Sequence, residues 1–346
     1  MRFPVEAYRA LIRGERRGSL ACLGRAGLTL ASGPYRLGVW WRNRQYERNR
    51  RVIHRAAVPV VSVGNLSLGG TGKTPCVEYV ARFYRELGFQ VAILSRGYGV
   101  NAGPNDEALV LEENLPDVPH LQGADRVSLA VAAVEELEAE LLVLDDGFQH
   151  RRLHRDLDIV LIDATYPPHR DHLFPRGTLR EPASSLKRAS AILLTRCDQV
   201  DVAAMNLIRE WIASRFPGVP VASTEHRPTV EVDALHGKRV GAFCGIGNPA
   251  AFRRTLEDLG ANVIGFRTFP DHHAYTREDV DELRSWASAL PAEAEIATTQ
   301  KDWVKLRLDD LAGRPLRTIR IELTFRDGEK EFGEVLRRIG PIANSE

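Results

Sequence analysis

The chain has 346 residues, 44% of them apolar and 27% charged, enough for two compact domains and too apolar for disorder. Four cysteines, Cys22, Cys76, Cys197 and Cys244, stand far apart with no C-x-x-C pair, which excludes a disulfide framework and fits a reducing compartment. The net charge of +1 hides an asymmetry, because residues 1–55 hold thirteen arginines against Glu6, Glu15 and Glu47, a balance of +10 that leaves −9 for the remainder.

A basic leading segment calls for an anionic partner, either nucleic acid or a phospholipid surface. Its apolar residues favour the surface. Leu20, Leu23, Gly27, Leu30, Leu37 and Trp41 recur at three-and-four spacing, with Trp40 beside the last, as in a helix lying in a membrane interface. Arg25 interrupts the run, and nowhere do about 18 uncharged apolar residues follow one another, so a spanning helix is not expected. A signal peptide fits poorly, because the basic region outlasts the apolar one. No nucleic-acid-binding module is recognisable. The competing reading is a helix packed on the protein's own core.

From Val58 onward, β-rich runs alternate with amphipathic segments, the pattern of an α/β fold with a mostly parallel sheet. "VPVVSV" (58–63) reads as the first strand and Thr74 to Leu87 as the first helix, with Val77, Val80, Tyr84 and Leu87 on one face and Gly88 as its stop. Pro75 fits the first helical turn. "QVAILS" (90–95), "LLVLDD" (141–146), "DIVLID" (158–163) and "AILLT" (191–195) read as strands buried on both faces. A second series follows Pro217 and Pro220, with "RVGAFCGIGNPAAF" (239–252), "NVIGF" (262–266) and "EIATTQKDW" (295–303). The expected organisation is a membrane-associated segment over 1–55, a P-loop domain over 56–225 and a smaller α/β domain over 226–346.

The P-loop expectation rests on "LGGTGKTP" (68–75). In the pattern G-x-x-x-x-G-K-[ST] the first glycine falls on Ser67, but Gly69, Gly70, Thr71, Gly72, Lys73 and Thr74 keep what phosphate binding needs. The glycines let backbone N–H groups face the phosphates at a helix N-terminus, Lys73 reaches their oxygens and the Thr74 hydroxyl suits Mg²⁺. Asp145 and Asp146, at the end of a buried run, supply the second magnesium-side carboxylate of a Walker B pattern. Neighbours along a strand alternate sides, so one of the two is expected to face the metal and the other a second partner.

Taken together, "VGNLSLGGTGKTP", "SRGYG", "NDEALVL", "LDDGFQH", "LREP", "GIGNP" and "DHHAYT" occur in the order seen in tetraacyldisaccharide 4'-kinases, and the chain resembles that family from its basic segment to about Leu306. The resemblance implies transfer of the ATP γ-phosphate, with Mg²⁺, to the 4'-hydroxyl of an acylated glucosamine disaccharide 1-phosphate in lipid A biosynthesis. It places the enzyme at the cytoplasmic face of the inner membrane, held peripherally or monotopically by its N-terminal segment on an anionic surface. No obligate protein partner is evident.

By the same resemblance Asp106 matches the family's catalytic aspartate, although the usual G-D-E-P is here Asn105-Asp106-Glu107-Ala108. His272 matches the histidine that pairs with it, a pairing with physical sense because imidazole orients a carboxylate or shares its proton near neutral pH. His273 is the neighbour it is easily confused with. Arg96, Glu107, Gln149, His150, Arg180 and Glu181 are candidate substrate-binding residues. With Asp106 assigned to the first domain and His272 to the second, their meeting would require domain closure.

Two rival readings attach to other motifs. "TRCD" (195–198) is similar to the base-reading motif of GTPases, with Arg196 in place of its lysine, which would make the chain a membrane-associated nucleotide hydrolase or switch without a lipid acceptor. Gly245-Ile246-Gly247-Asn248-Pro249-Ala250 matches G-x-G-x-x-A and would suit a dinucleotide oxidoreductase, or simply a tight strand-to-helix turn.

Overall fold

The computed structural model describes residues 5–97, 106–229 and 234–340. Tyr98 and Gly99 of "SRGYG" and Asn105 lie outside the described residues. In chain order the elements are α1 (Val5–Ile12), α2 (Ser19–Glu47), β1 (Val60–Asn65), α3 (Lys73–Glu86), β2 (Val91–Ser95), α4 (Asp106–Asn114), β3 (His120–Gln122), α5 (Arg126–Leu137), β4 (Leu141–Asp145), β5 (Leu157–Asp163), β6 (Ala191–Thr195), α6 (Val202–Arg215), β7 (Val221–Pro228), β8 (Arg239–Cys244), α7 (Pro249–Asp258), β9 (Asn262–Thr268), α8 (Arg277–Ala289), β10 (Glu295–Thr299), α9 (Gln300–Leu306), β11 (Asp310–Leu311), β12 (Arg314–Ile319), β13 (Ile321–Asp327) and α10 (Glu329–Leu336).

The chain divides into two compact units, residues 1–96, 121–225 and 325–346 in the first and 97–120 and 226–324 in the second. Residues 97–120 therefore lie in the second unit, although sequence order alone put them in the first, and residues 325–346 return to the first. Such exchanges depend on non-local pairing: β13 takes the edge of the large sheet beside β7.

The large sheet has the order β13-β7-β6-β5-β1-β4-β2-β3. The pairs β1–β4, β1–β5, β2–β4, β5–β6 and β6–β7 are parallel. Its central strands are buried throughout, because their Val, Ile and Leu runs meet one apolar layer around Ile162, Leu194 and Ile212 and another around Ala92, Leu142 and Leu144. In α3, Val77, Val80 and Tyr84 are buried, whereas Leu87, read as part of that face, lies past the last turn and is 44% exposed. Gly88 closes the helix at φ 92°.

The second unit carries a five-stranded sheet, β11-β12-β10-β8-β9, parallel except at β11–β12. "EIATTQKDW" splits into β10 and α9 because Thr299 caps the helix, accepting from Asp302 N through its side chain.

In α2, Val39, Asn43 and Tyr46 are buried, and that face docks through polar contacts with residues 171–181. Ser32 Oγ donates to the Leu173 carbonyl (3.2 Å), Tyr35 OH to that of Arg180 (3.0 Å) and Arg42 Nη2 to Glu181 Oε1 (2.6 Å). The opposite face presents Leu20, Leu23, Leu30 and Leu37 at 63–84% exposure, with Trp40 and Trp41 half-exposed. The core-packed reading of this helix therefore accounts for one face only.

Candidate active site

The first unit builds an anion cradle between β1 and α3. Gly69 and Gly72 take left-handed φ of 113° and 84°, which side chains rarely adopt. Ser67 stands in for a glycine without strain, because it bridges to Leu179 in extended form and Asn65 Nδ2 donates to its carbonyl (2.9 Å). The loop is braced from below: Thr195 Oγ1 donates to Thr71 O (2.9 Å) and Arg196 Nη2 to Gly70 O (2.7 Å), while Arg196 also pairs with Asp163. The "TRCD" stretch thus supports the loop's backbone, a role the sequence reading missed.

β4 delivers the acidic pair. Asp145 ends the strand opposite Val63 of β1, and Asp146 follows in the left-handed region at φ 54°, out of strand alternation. Asp146 lies 3.6 Å from Lys73 Nζ and accepts from Arg180 Nη1 (2.7 Å), which also reaches Gln149 Oε1 (3.3 Å). Gln149 Nε2 donates to Asn65 O (2.8 Å). Burial would raise the Asp146 carboxyl, but Lys73, then Arg180 and Arg126, hold it below its usual value. Gly147 is required at the next position, since a Cβ there would fall 2.6 Å from Ser62 Oγ. Thr74 in the first turn of α3 and Asp145 and Asp146 at the end of β4 are hard oxygen donors, and Asp146 Oδ1 accepts no hydrogen bond, so this set fits Mg²⁺.

The second unit holds the other predicted pair, preformed. Asp106, the first residue of α4, is buried, and His272 Nδ1 donates to its two oxygens at 2.8 and 3.0 Å. Both residues belong to this unit, so no closure is needed to join them. His272 sits at φ 59°, with Nε2 3.8 Å from Asp271 Oδ2. Glu107 pairs with Lys301 Nζ at 3.2 Å. Burial pushes the Asp106 carboxyl up, but the His272 hydrogen bond and Lys301 outweigh it and hold the group below its usual value; the same bond raises His272. His273 instead donates to Asp279 (3.0 Å) and stacks on Phe269, a packing role.

One expectation changes. Glu181 has no exposed surface, and its oxygens are taken by Arg42, Asn43 and Arg188, so it anchors α2 rather than touching substrate. His150 is pushed down to about 4 by burial, then by Arg126, Arg152 and Arg155, which leaves it neutral at neutral pH. Arg96 is exposed at the end of β2. The glycine motif at 245–250 is a strand-to-helix turn: Gly245 N–H donates to buried Asp302 (3.0 Å), and the Asn248 side chain caps α7 by accepting from Ala251 N.

A family model described as Tetraacyldisaccharide-1-P 4'-kinase matches residues 25–340. The tetraacyldisaccharide 4'-kinases of Anaeromyxobacter sp. (strain Fw109-5) and Anaeromyxobacter dehalogenans (strain 2CP-C) are 41% and 42% identical to the chain, covering 90% and 91% of it and 90% of each relative. That of Syntrophus aciditrophicus (strain SB) is 37% identical over 86% of this chain and 88% of its own. Among solved structures, LpxK from Aquifex aeolicus, crystallised in complex with ATP, is similar with a TM-score of 0.74 and 30% identity over 91% of this chain and 99% of that one. The chain therefore belongs to the tetraacyldisaccharide 4'-kinase family.

Proposed function

We propose that Asp106, positioned by His272, accepts the proton of the acceptor hydroxyl while Lys73, Thr74, Asp145, Asp146 and Arg180 serve the phosphates of ATP. Membership of the family makes the chain a kinase that transfers phosphate to a hydroxyl of a lipid disaccharide, and it disfavours a nucleotide switch without an acceptor. ATP is the donor; Thr74, Asp145 and Asp146 would hold Mg²⁺, which would neutralise charge on its phosphates.

In this reading the 4'-hydroxyl oxygen forms a bond to the γ-phosphorus as the bond from that phosphorus to ADP breaks, and the hydroxyl proton passes to Asp106. Phosphoryl transfer asks mainly for positioning and charge stabilisation, so a carboxylate of low basicity suffices as proton acceptor. Lys73 and the loop amides orient the donor, and Arg180 fixes Asp146. The double hydrogen bond from His272 to Asp106 is the observation that carries this assignment.

The test is transfer of labelled γ-phosphate from ATP to a purified acylated disaccharide 1-phosphate. Asp106→Asn is expected to lose transfer by about 10² to 10⁴ fold while still binding nucleotide. Near-wild-type turnover removes Asp106 as the base.

The exposed leucine stripe of α2 supports peripheral attachment to the anionic cytoplasmic face of the inner membrane. Among the described residues no helix is long and apolar enough to cross a membrane.

A further inference from the structure

The turn joining α1 to α2 and the loop following β5 flank an open cavity of about 640 Å³ lined by Arg13, Arg25, Arg170, Arg176, Tyr166 and Glu15. Three of its guanidinium groups are held by neutral partners. Arg176 Nη1 donates to the Ile12 carbonyl (2.9 Å), Arg25 Nη1 to that of Arg16 (2.9 Å), and Arg13 lies 5.0 Å from the centroid of the Tyr166 ring. Among the described residues none of the four forms an ion pair with a carboxylate, and Glu15 is the one acidic residue of the lining. Asp171, next to Arg170, is already engaged, accepting from Thr178 N (3.1 Å), Thr178 Oγ1 (2.5 Å) and His172 N (2.7 Å). Asp171 also acts on Tyr166 of the lining, so four cations stand against two carboxylates, a net positive field that favours an anion, and guanidinium forks match phosphate oxygens.

The surroundings narrow the kind of phosphate. The volume exceeds that of a bare phosphate and suits a phosphorylated sugar. Arg25 projects from the docked side of the helix whose other face carries exposed Leu20, Leu23 and Leu30, so an anion here sits where a lipid head group meets its acyl chains. The wall that supplies Arg170 and Arg176 continues to Thr178, whose carbonyl accepts from Leu68 N (2.8 Å) at the start of the anion cradle, and to Arg180 on Asp146. One loop therefore connects the cavity to the phosphate-transfer residues.

We infer that this cavity binds the phosphate the acceptor lipid already carries, the 1-phosphate at the end of the head group remote from the hydroxyl being phosphorylated. The inference rests on the kinase reading above and adds a second phosphate site, which reads the acceptor rather than ATP.

The test measures kcat/KM in the full-length chain for two acceptors, an acylated disaccharide with its 1-phosphate and the same molecule without it, in vesicles of fixed phosphatidylglycerol content. Arg25→Gln and Arg170→Gln, made separately, are each expected to lower kcat/KM for the 1-phosphate acceptor by about tenfold, through KM. With the acceptor lacking that phosphate, wild type itself is expected to have lost a similar factor, and each substitution to add less than about twofold. Arg170→Lys, which keeps the charge, is expected to recover part of the loss. Equal losses on both acceptors overturn the inference. So does a loss that tracks phosphatidylglycerol content instead of the acceptor's phosphate, which would assign the arginines to bulk lipid. Absence of wild-type transfer to either acceptor overturns the kinase reading and this inference with it.

Discussion

His272 holds Asp106 by both carboxylate oxygens, at 2.8 and 3.0 Å, across 166 residues of chain. The carboxyl is held below its usual value because the His272 hydrogen bond and Lys301 outweigh the upward push of burial, and His272 is raised by the same bond. Between those two titrations the pair is a carboxylate with an imidazolium. Asp106 contributes stability that is present above its unfolded value and lost as pH falls through the lowered one. His272 contributes stability that is present below its ordinary 6.5 and lost as pH rises through the raised value.

Removing His272 takes away the strongest influence that lowers Asp106 while its burial remains. In His272→Ala the acid limb of the kcat profile is therefore expected to move to higher pH, and any alkaline step due to the imidazolium to disappear. A pH–rate profile of wild type and variant decides this. An acid limb unchanged in the variant would show that the histidine does not tune the base.

Asp146 stands between two cations, 3.6 Å from Lys73 Nζ and 2.7 Å from Arg180 Nη1. Asp146→Asn keeps the shape but removes the charge that positions both and that would bind Mg²⁺. Turnover is expected to fall by about 10² to 10³ fold. EDTA is expected to abolish transfer in wild type and added Mg²⁺ to restore it. Turnover that survives chelation would exclude the metal role given to Thr74, Asp145 and Asp146.

Much of this was legible in the sequence because it is local. The cradle at 69–74 and the strand-end aspartates are contiguous patterns whose physics needs no tertiary context. The Asp106–His272 pair was reached by resemblance alone, since nothing in the spacing brings residues 106 and 272 together. The unit that holds both was misread, because α4 joins the second unit against chain order. Arg126 and Lys301 were missed, yet both carried a signal. Each stands in the first turn of a helix, where the dipole disfavours a cation, as Lys73 does. Such a cation marks a nearby anion: Lys301 answers Glu107 and Asp106, and Arg126 acts on Asp146. Glu181 was misassigned because sequence does not show that Arg42 and Arg188 converge on it.

Glu181 makes a stability prediction separate from catalysis. It is fully buried, and Glu181→Ala would leave Arg188 almost buried and unpaired, with Arg42 about one-third exposed. Breaking such a cluster costs about 3–5 kcal/mol when both partners are buried, and about 2–4 kcal/mol here because Arg42 reaches water. A melting temperature lower by several degrees is expected, with α2 detaching first in hydrogen exchange. Burial pushes the Glu181 carboxyl up, but Arg188 and Arg42 hold it below 4.5, so its contribution is present above that value and lost as pH falls through the lowered one. A melting temperature equal to wild type at neutral pH would contradict the anchor.

The outward face of α2 separates attachment from folding. Leu23, Leu30 and Leu37 are 69%, 79% and 63% exposed, so replacing all three with serine should leave the melting temperature nearly unchanged. In a membrane interface each leucine contributes about 1–2 kcal/mol, so the triple variant should bind anionic vesicles at least about 10² fold more weakly. Salt should separate the two contributions, since raised ionic strength screens the arginines but leaves leucine burial in place. Wild type should then keep part of its vesicle binding in high salt, and the variant almost none. If flotation with vesicles were equal for both proteins at every salt concentration, the leucine face would have no part in attachment and the arginines alone would hold the chain to the surface.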